Sequence, residues 1–270
     1  MMHLSLEANL KALRLPTFLK EYDGVAKESV RKNASYEDFL RDLSEKEVIN
    51  KQSKAIQTRI KQAQFPVLKT LEAFDFKAAP KLNKKLVLDL AQGDFLDHHE
   101  NIIALGNSGT GKTHIATSIG LRACQIGKSV FFIQASHLVH QLLEAQEERH
   151  LLKLKKKLLS YDLLIIDELG FVPFSKTGAE LLFEVFSNRY EKGSIAITSN
   201  LPFEEWPQIF GCERLTGALL DRLTHHVHIL EMNGESFRLA SSKKNRGISK
   251  TAQKEDEREK SFVKNKNVNI

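Results

Sequence analysis

Two rhythms of apolar and polar positions divide the chain. In residues 4–62 apolar side chains recur at helical spacing. Leu4, Leu6, Leu10, Leu13 and Leu15 fall mostly on one face before Pro16 interrupts the pattern. Tyr36, Phe39, Leu40 and Leu43 begin a second stripe, continued by Val48, Ile49, Ile56 and Ile60. No Gly or Pro occurs between Val25 and Phe65, so the sequence allows one long helix there. Pro66 and the stretch FDFKAAP (74–80) end this rhythm. Short apolar runs follow: NIIAL (101–105), SVFFIQA (129–135), DLLIID (162–167), SIAITSN (194–200) and HVHILEM (226–232). Helical stretches alternate with them, after residue 112, over 136–159 and over 176–191. The alternation predicts an α/β fold with a five-stranded parallel sheet flanked by helices, preceded by a small all-α N-terminal domain. Asn233-Gly234, followed by ESFRLA, predicts that the last strand turns back as a C-terminal hairpin. The boundaries expected are a helical domain over 1–65, a linker over 66–95, the α/β domain over 96–242 and a polar, disordered tail over 243–270.

Composition adds exclusions. Hydrophobic residues at 41% and charged residues at 27% rule out global disorder and a fibrous chain. Two cysteines, Cys124 and Cys212, rule out a disulfide scaffold and a four-thiolate zinc site. Apolar runs such as LLII (163–166) are far too short to cross a bilayer, and no apolar signal core opens the chain. The expected location is cytoplasmic, at the nucleoid, with no membrane partner. The net charge of +6 is unevenly spread: +4 over residues 1–95, −3 over 96–242 and +5 over 243–270. Lys46, Lys51, Lys54, Arg59 and Lys61 stand on the second helical stretch with only Glu47 against them. They are candidate contacts to DNA phosphates. A solvated helix face is the alternative.

GNSGTGKT at 106–113 matches G-x-x-x-x-G-K-[ST], and each position has a physical reason. Gly106, Gly109 and Gly111 let the backbone turn its N–H groups toward phosphate oxygens, with Asn107, Ser108 and Thr110 completing the loop. Lys112 reaches the β- and γ-phosphates, and Thr113 offers a hydroxyl to Mg²⁺. Chance alone yields such a pattern in about one chain in a hundred of this length. Here it follows an apolar strand and opens a helix, as phosphate binding requires.

Hydrolysis of a bound nucleotide also needs a carboxylate at the end of a neighbouring strand. DLLIIDE supplies Asp167 to hold the metal and Glu168 to polarise the attacking water. Asn200, closing SIAITSN, is placed to hydrogen-bond the γ-phosphate and that water, because parallel strands converge on ligands at their C-terminal ends. Transition-state charge calls for an arginine, with Arg214, Arg222 and Arg238 as candidates.

Taken in order, GNSGTGKTHIA, DLLIIDELGFVPF, RYEKGSIAITSNLPFEEW, ALLDRLTHHVHIL and GESFRL resemble the IstB-type AAA+ ATPases. These are helper proteins of certain bacterial insertion sequences, related to the DnaC helicase loaders and more distantly to the DnaA initiators. The resemblance covers about residues 65–240 closely and the N-terminal helices more loosely. It implies a P-loop AAA+ core of the ASCE type, with ATP and Mg²⁺ as cofactors and ATP hydrolysis as the activity. It also implies binding to duplex DNA and assistance to a partner transposase in target selection and DNA transposition. Lys112 and Thr113 then belong to the Walker A end, Asp167 and Glu168 to the Walker B end, and Asn200 to the first sensor. Arg222 matches the arginine finger, which acts across a subunit interface and so implies a homo-oligomer with ATP between subunits. Arg238 matches the ATP-contacting second sensor. The sequence departs from the family pattern in that Arg238 falls on a predicted hairpin strand and only a polar tail follows, so the helical lid is reduced or absent.

Two rivals share these motifs. A DnaC-like replicative helicase loader would use the N-terminal helices to engage a helicase. A structural DNA-binding protein would use ATP only as an assembly ligand. The remaining features read as structural. His225, His226 and His228, like His98 and His99, lack the Cys or carboxylate partners of a metal site. KLKKK (153–157) reads equally as a solvated amphipathic face or a DNA contact, and Trp206 reads as a packing residue. No Ser-His-Asp or Cys-His arrangement and no separate carboxylate cluster is suggested, so cutting or joining of DNA is not expected.

Overall fold

The computed structural model describes residues 4–234, 236 and 237. The chain divides into two compact units, Met1–Gln62 and Ala63–Ile270.

The N-terminal unit is built from α1 (Leu4–Ala12), α2 (Pro16–Lys32) and α3 (Tyr36–Ala63). Pro16 opens α2 at its first position, where a missing N–H and a fixed φ cost nothing. No side chain next to Pro16 caps that helix end. The cap comes from α3 instead: Glu47 Oε2 accepts the amides of Thr17 at 2.8 Å and Phe18 at 3.1 Å. Burial works against the Glu47 carboxylate. The Phe18 and Thr17 amides, the Thr17 hydroxyl and Lys51 together outweigh it and hold its pKa below the usual range. The uninterrupted helix allowed between Val25 and Phe65 does not form. Asn33 takes a left-handed conformation with φ +51°, and its amide donates to the Val30 carbonyl at 3.2 Å. Ser35 then restarts the chain as α3, its Oγ accepting the Asp38 amide at 3.1 Å while its own hydroxyl donates to the Asp38 carboxylate at 2.8 Å. Asparagine in the left-handed region and a capping pair thus break a helix without Gly or Pro.

The second unit places α4 (Lys84–Leu90) and α5 (Asp94–Asp97) before the sheet. Its strands are β1 (Asn101–Leu105), β2 (Val130–Gln134), β3 (Leu163–Leu169), β4 (Ser194–Ser199) and β5 (Val227–Glu231). They are all parallel, in the order β2-β3-β4-β1-β5. Each expected apolar run is a strand. Burial on both faces explains why these runs are continuous rather than alternating. The helices are α6 (Lys112–Gln125), α7 (Ala135–Glu147), α8 (Leu151–Leu159), α9 (Lys176–Arg189), α10 (Trp206–Phe210) and α11 (Glu213–Thr224). The stretch expected to be helical over 136–159 is broken at Arg149, with φ +58°. Helix α6 lies against one face of the sheet, where Gly120 lets its backbone approach Ile165 and Phe65. On the other face Leu138 and Leu142 of α7, Leu182 and Phe186 of α9, and Leu219 of α11 join Phe131, Ile166 and Ile197 in one core. Trp206 is fully buried there, packed against Phe203 and Phe210. The expected return strand after Asn233-Gly234 lies mostly outside the described residues. Of the part described, the Phe237 amide donates to the Gly109 carbonyl at 3.0 Å.

One charged side chain sits inside this core. Arg189, 1% exposed at the end of α9, donates to the carbonyls of Leu158 (2.6 Å), Tyr161 (2.9 Å), Asp162 (3.3 Å) and Ser194 (2.8 Å). Burial lowers its guanidinium pKa to about 10, so it remains charged at neutral pH. It fastens the end of α8 to the start of β4. Arg189→Met is expected to leave several buried carbonyls without a donor and to cost roughly 3 kcal/mol or more. Urea unfolding checks this, and an unchanged midpoint would contradict the structural role.

Candidate functional site

The loop between β1 and α6 carries the glycine motif to the C-terminal edge of the sheet. Gly106, with φ +150°, passes so close to the Met232 backbone that any Cβ would overlap its carbonyl. Gly111, with φ +96°, is the residue preceding α6, and a Cβ there would stand 2.7 Å from Phe74 Cε2. Because no side chain caps α6, its first-turn amides and the positive end of its dipole face the loop. Lys112 Nζ donates to the carbonyls of Gly106 at 2.6 Å and Asn107 at 2.8 Å, which holds the ammonium over the loop.

Strand β4 lies between β1 and β3, so the end of β4 sits beside both the loop and the acidic pair. Thr113 Oγ1 lies 3.0 and 3.2 Å from the two Asp167 carboxylate oxygens. Asp167 is 3% exposed and also accepts the Thr198 hydroxyl. Glu168, at φ +59°, occupies an irregularity in the β3–β4 pairing between Ile166 and Leu169. Its amide donates to Thr198 Oγ1 at 3.0 Å, and its carboxylate accepts Gln134 Nε2 at 3.0 Å. Asn200 Oδ1 is buried without a hydrogen-bond partner among the described residues.

Loop residues Ser108–Thr113, with Glu168, Thr198 and Asn200, line one cavity of about 330 Å³, and Asp167 lies behind Thr113 and Thr198. Its wall opposite the sheet is the segment Lys69–Ala79, including Phe74, Ala78 and Ala79. That segment is fastened to α6: His114 Nε2 lies 2.8 Å from the Thr70 carbonyl, and Ser118 donates to the Lys69 carbonyl at 3.1 Å. The Phe74 ring meets the His114 ring edge-on at 5.2 Å. The cavity therefore has a cationic, amide-lined floor, oxygen donors at one end and an apolar wall at the other. That arrangement suits a nucleoside phosphate. The Thr113 hydroxyl and Asp167 carboxylate are hard oxygen donors of the kind Mg²⁺ takes alongside substrate phosphates, and the orphaned Asn200 oxygen still needs a partner.

The structure brings Gly106–Thr113, Asp167, Glu168 and Asn200 together. It does not bring Arg222 to them. That side chain ends α11, donates to the Ala218 carbonyl at 2.8 Å and lies over the Phe183 ring at 5.1 Å. It borders a second cavity of about 240 Å³ with His98, His99, Asn101, Tyr190 and His226, at the opposite edge of the sheet where the strands begin. Arg238 lies outside the described residues. Among the lysines of the N-terminal unit, Lys46 stands 4.0 Å from Glu21 and Lys51 stands 3.6 Å from Glu47. Lys54 and Lys61 are exposed, and Arg59 is half-buried.

Other features settle into structural roles. In α8, Lys155 pairs with Glu184 and Lys157 lies over the Phe131 ring at 5.8 Å. His228 lies 2.7 Å from a Glu100 carboxylate oxygen, and His225 lies 2.9 Å from the Tyr190 hydroxyl. No group of three or more His, Cys, Asp or Glu able to hold a metal exists among the described residues. The residues missed by sequence reasoning are Thr198, Gln134 and the Phe74 segment. Thr198 left a signal, as a hydroxyl inside the apolar run SIAITSN. Phe74 left none, because FDFKAAP reads only as a break.

Lys112→Ala removes the only side-chain cation on the loop itself. It is expected to lower nucleoside triphosphate affinity by about 100-fold or more, since charge-assisted bonds to phosphate disappear from a partly desolvated site. Titration with a fluorescent ATP analogue measures this, and affinity within threefold of wild type would refute the assignment.

Residues 8–245 match the profile of the IstB-like ATP binding protein family. A Geobacillus stearothermophilus protein named as an ATP-binding protein of insertion sequence IS5376 is 41% identical over 227 residues, covering 84% of this chain and 90% of the relative. A Pseudomonas aeruginosa protein named for insertion sequence IS21 is 36% identical over 239 residues, covering 88% of this chain and 90% of the relative. Among solved structures, AMPPCP-bound DnaA from Aquifex aeolicus shares the fold with a TM-score of 0.53 at 20% identity, covering 63% of this chain and 51% of that one. The DnaI crystal structure does so with a TM-score of 0.52 at 15% identity, covering 61% and 90%. The match over most of the chain to this family and to these relatives assigns it: with a parallel α/β core and a phosphate-binding loop, it belongs to the IstB-like ATP-binding proteins of insertion sequences.

Proposed function

We propose that this chain hydrolyses ATP and uses the nucleotide state to assemble on duplex DNA in support of a partner transposase. The observation that carries the hydrolytic reading is the convergence of Lys112, Thr113, Glu168 and Asn200 on one cavity, with Asp167 held directly behind Thr113. The loop amides and Lys112 bind the β- and γ-phosphates. Thr113 and Asp167 would hold Mg²⁺, which when bound offsets charge on the phosphate oxygens. Glu168 accepts a proton from the attacking water, and Asn200 orients that water against the γ-phosphate. Phe74, Ala78 and Ala79 offer the base an apolar wall. Arg222 serves the site of a neighbouring copy, which makes the active form a homo-oligomer.

The reading of DNA and transposase as partners rests on charge and on the relatives. Residues 1–95 carry a net +4, and beyond Lys51 helix α3 carries Lys54 and Lys61 at a seven-residue spacing that shares one helix face, with Arg59 between them in sequence on another face. The relatives are named for insertion sequences, which favours a transposition helper over a helicase loader. No helix among the described residues is long and apolar enough to cross a membrane.

Glu168→Gln is expected to bind ATP with affinity within about threefold of wild type and to lower turnover on the order of 10²-fold or more. Steady-state phosphate release checks this, and a wild-type rate would remove Glu168 from its role. Replacing Lys54, Arg59 and Lys61 together with Ala is expected to weaken duplex binding and to flatten the salt dependence by up to about 3 in slope, near 0.9 for each phosphate that is no longer neutralised. An unchanged slope in a DNA titration at several salt concentrations would move the DNA-binding surface elsewhere.

A further inference from the structure

Thr198 borders the cavity from β4, between the phosphate loop and the acidic pair. It is 1% exposed on β4, the strand inserted between the loop-bearing β1 and the acid-bearing β3. One hydroxyl serves both members of the acidic pair: it donates to Asp167 Oδ1 and accepts the Glu168 amide at 3.0 Å. The second of these bonds replaces a backbone one. The β3–β4 pairing runs regularly to Ile166↔Ile197, shifts, and resumes at Leu169↔Ser199. Within that shift Glu168 has φ +59°, a left-handed conformation that a residue with a Cβ does not adopt without restraint. The Thr198 hydroxyl supplies such a restraint, because it holds the amide of the residue whose backbone is unusual.

We infer that Thr198 is a positioning residue for hydrolysis. It fixes Asp167 and Glu168 relative to each other and to Asn200, which follows two residues later on the same strand. The inference rests on the hydrolytic reading above. Thr113 also bonds Asp167, and both threonines border the cavity, but only Thr198 also holds the Glu168 amide. Thr198 acts from within the sheet. Losing its hydroxyl frees the Glu168 backbone to leave its conformation. A carboxylate misplaced by about 1 Å loses on the order of 10²-fold in rate while the phosphate-binding groups stay in place.

The test compares full-length wild type, Thr198→Val, Thr198→Ser and Thr198→Ala, with Glu168→Gln as reference. Steady-state ATP hydrolysis gives kcat and KM, and a fluorescent ATP analogue gives affinity. Thr198→Val keeps shape without the hydroxyl and is expected to lower kcat at least tenfold with KM and affinity within about threefold. Thr198→Ser is expected to recover most of the rate. Thr198→Ser and Thr198→Ala both lack the methyl group, so their difference reports the hydroxyl even if the valine variant does not fold. A Thr198→Val rate within twofold of wild type would overturn the inference, as would serine and alanine variants equally slow. A wild-type chain that turns over ATP no faster than Glu168→Gln overturns the hydrolytic reading itself.

Discussion

The Asp167 carboxylate is the point on which the site's geometry depends. It is almost completely buried, so its charge must be met by hydrogen bonds rather than by water. Those bonds come from two separate elements. Thr113 reaches it from the start of α6, Thr198 from β4, and Asp167 itself ends the regular part of β3. The arrangement exists only because β4 is inserted between β1 and β3. Were those two strands adjacent, the phosphate loop would meet the acid directly, with no strand from which Thr198 and Asn200 could reach between them. Seating α6 is the other half of the constraint. Gly120 brings that helix onto Ile165 and Phe65, and this close approach places Thr113 within reach of the carboxylate.

The sheet and the phosphate loop were legible because their signals are local and redundant. Five apolar runs flanked by helices, a glycine loop and two acidic or amide strand ends each announce themselves within a few residues. What remained unread depends on contacts across the chain. Phe74 forms part of the cavity wall because its segment is tied to α6 through His114 at the Thr70 carbonyl and Ser118 at the Lys69 carbonyl, and nothing within FDFKAAP signals that docking. Arg189 looked like any arginine at a helix end, yet its guanidinium gathers carbonyls from three separate segments. Glu168 shows the same limit. Its identity is plain from DLLIIDE, but its left-handed backbone follows from a register shift that no pattern of residue types reveals.

The N-terminal unit shows how a charge pattern divides into different tasks. Glu47 read as the lone acid on a basic face. In the fold it is the cap of another helix, and burial plus two backbone amides define its role. Lys51 is partly spent on that same carboxylate at 3.6 Å, and Lys46 stands near Glu21. The proposed phosphate contacts therefore fall chiefly to Lys54, Arg59 and Lys61, on the part of α3 beyond the capping interaction. A surface stripe of six charges becomes a structural end and a binding end of one helix.

The position of Arg222 constrains any assembly built on the proposed role in trans. The nucleotide cavity lies at the C-terminal edge of a parallel sheet, and Arg222 lies at its N-terminal edge. A five-residue strand such as β1 separates those edges by about 16 Å, at roughly 3.3 Å per residue. Within one chain the guanidinium cannot cross the sheet that intervenes. Under the proposed role in trans, a contact joining one chain's Arg222 edge to the next chain's cavity edge would be head-to-tail. Repeated, such a contact closes into a ring or winds into a helix. Such an array would repeat the N-terminal unit once per subunit. A duplex also repeats its phosphates, so the proposed roles of Arg222 and of the basic end of α3 are compatible with one assembly.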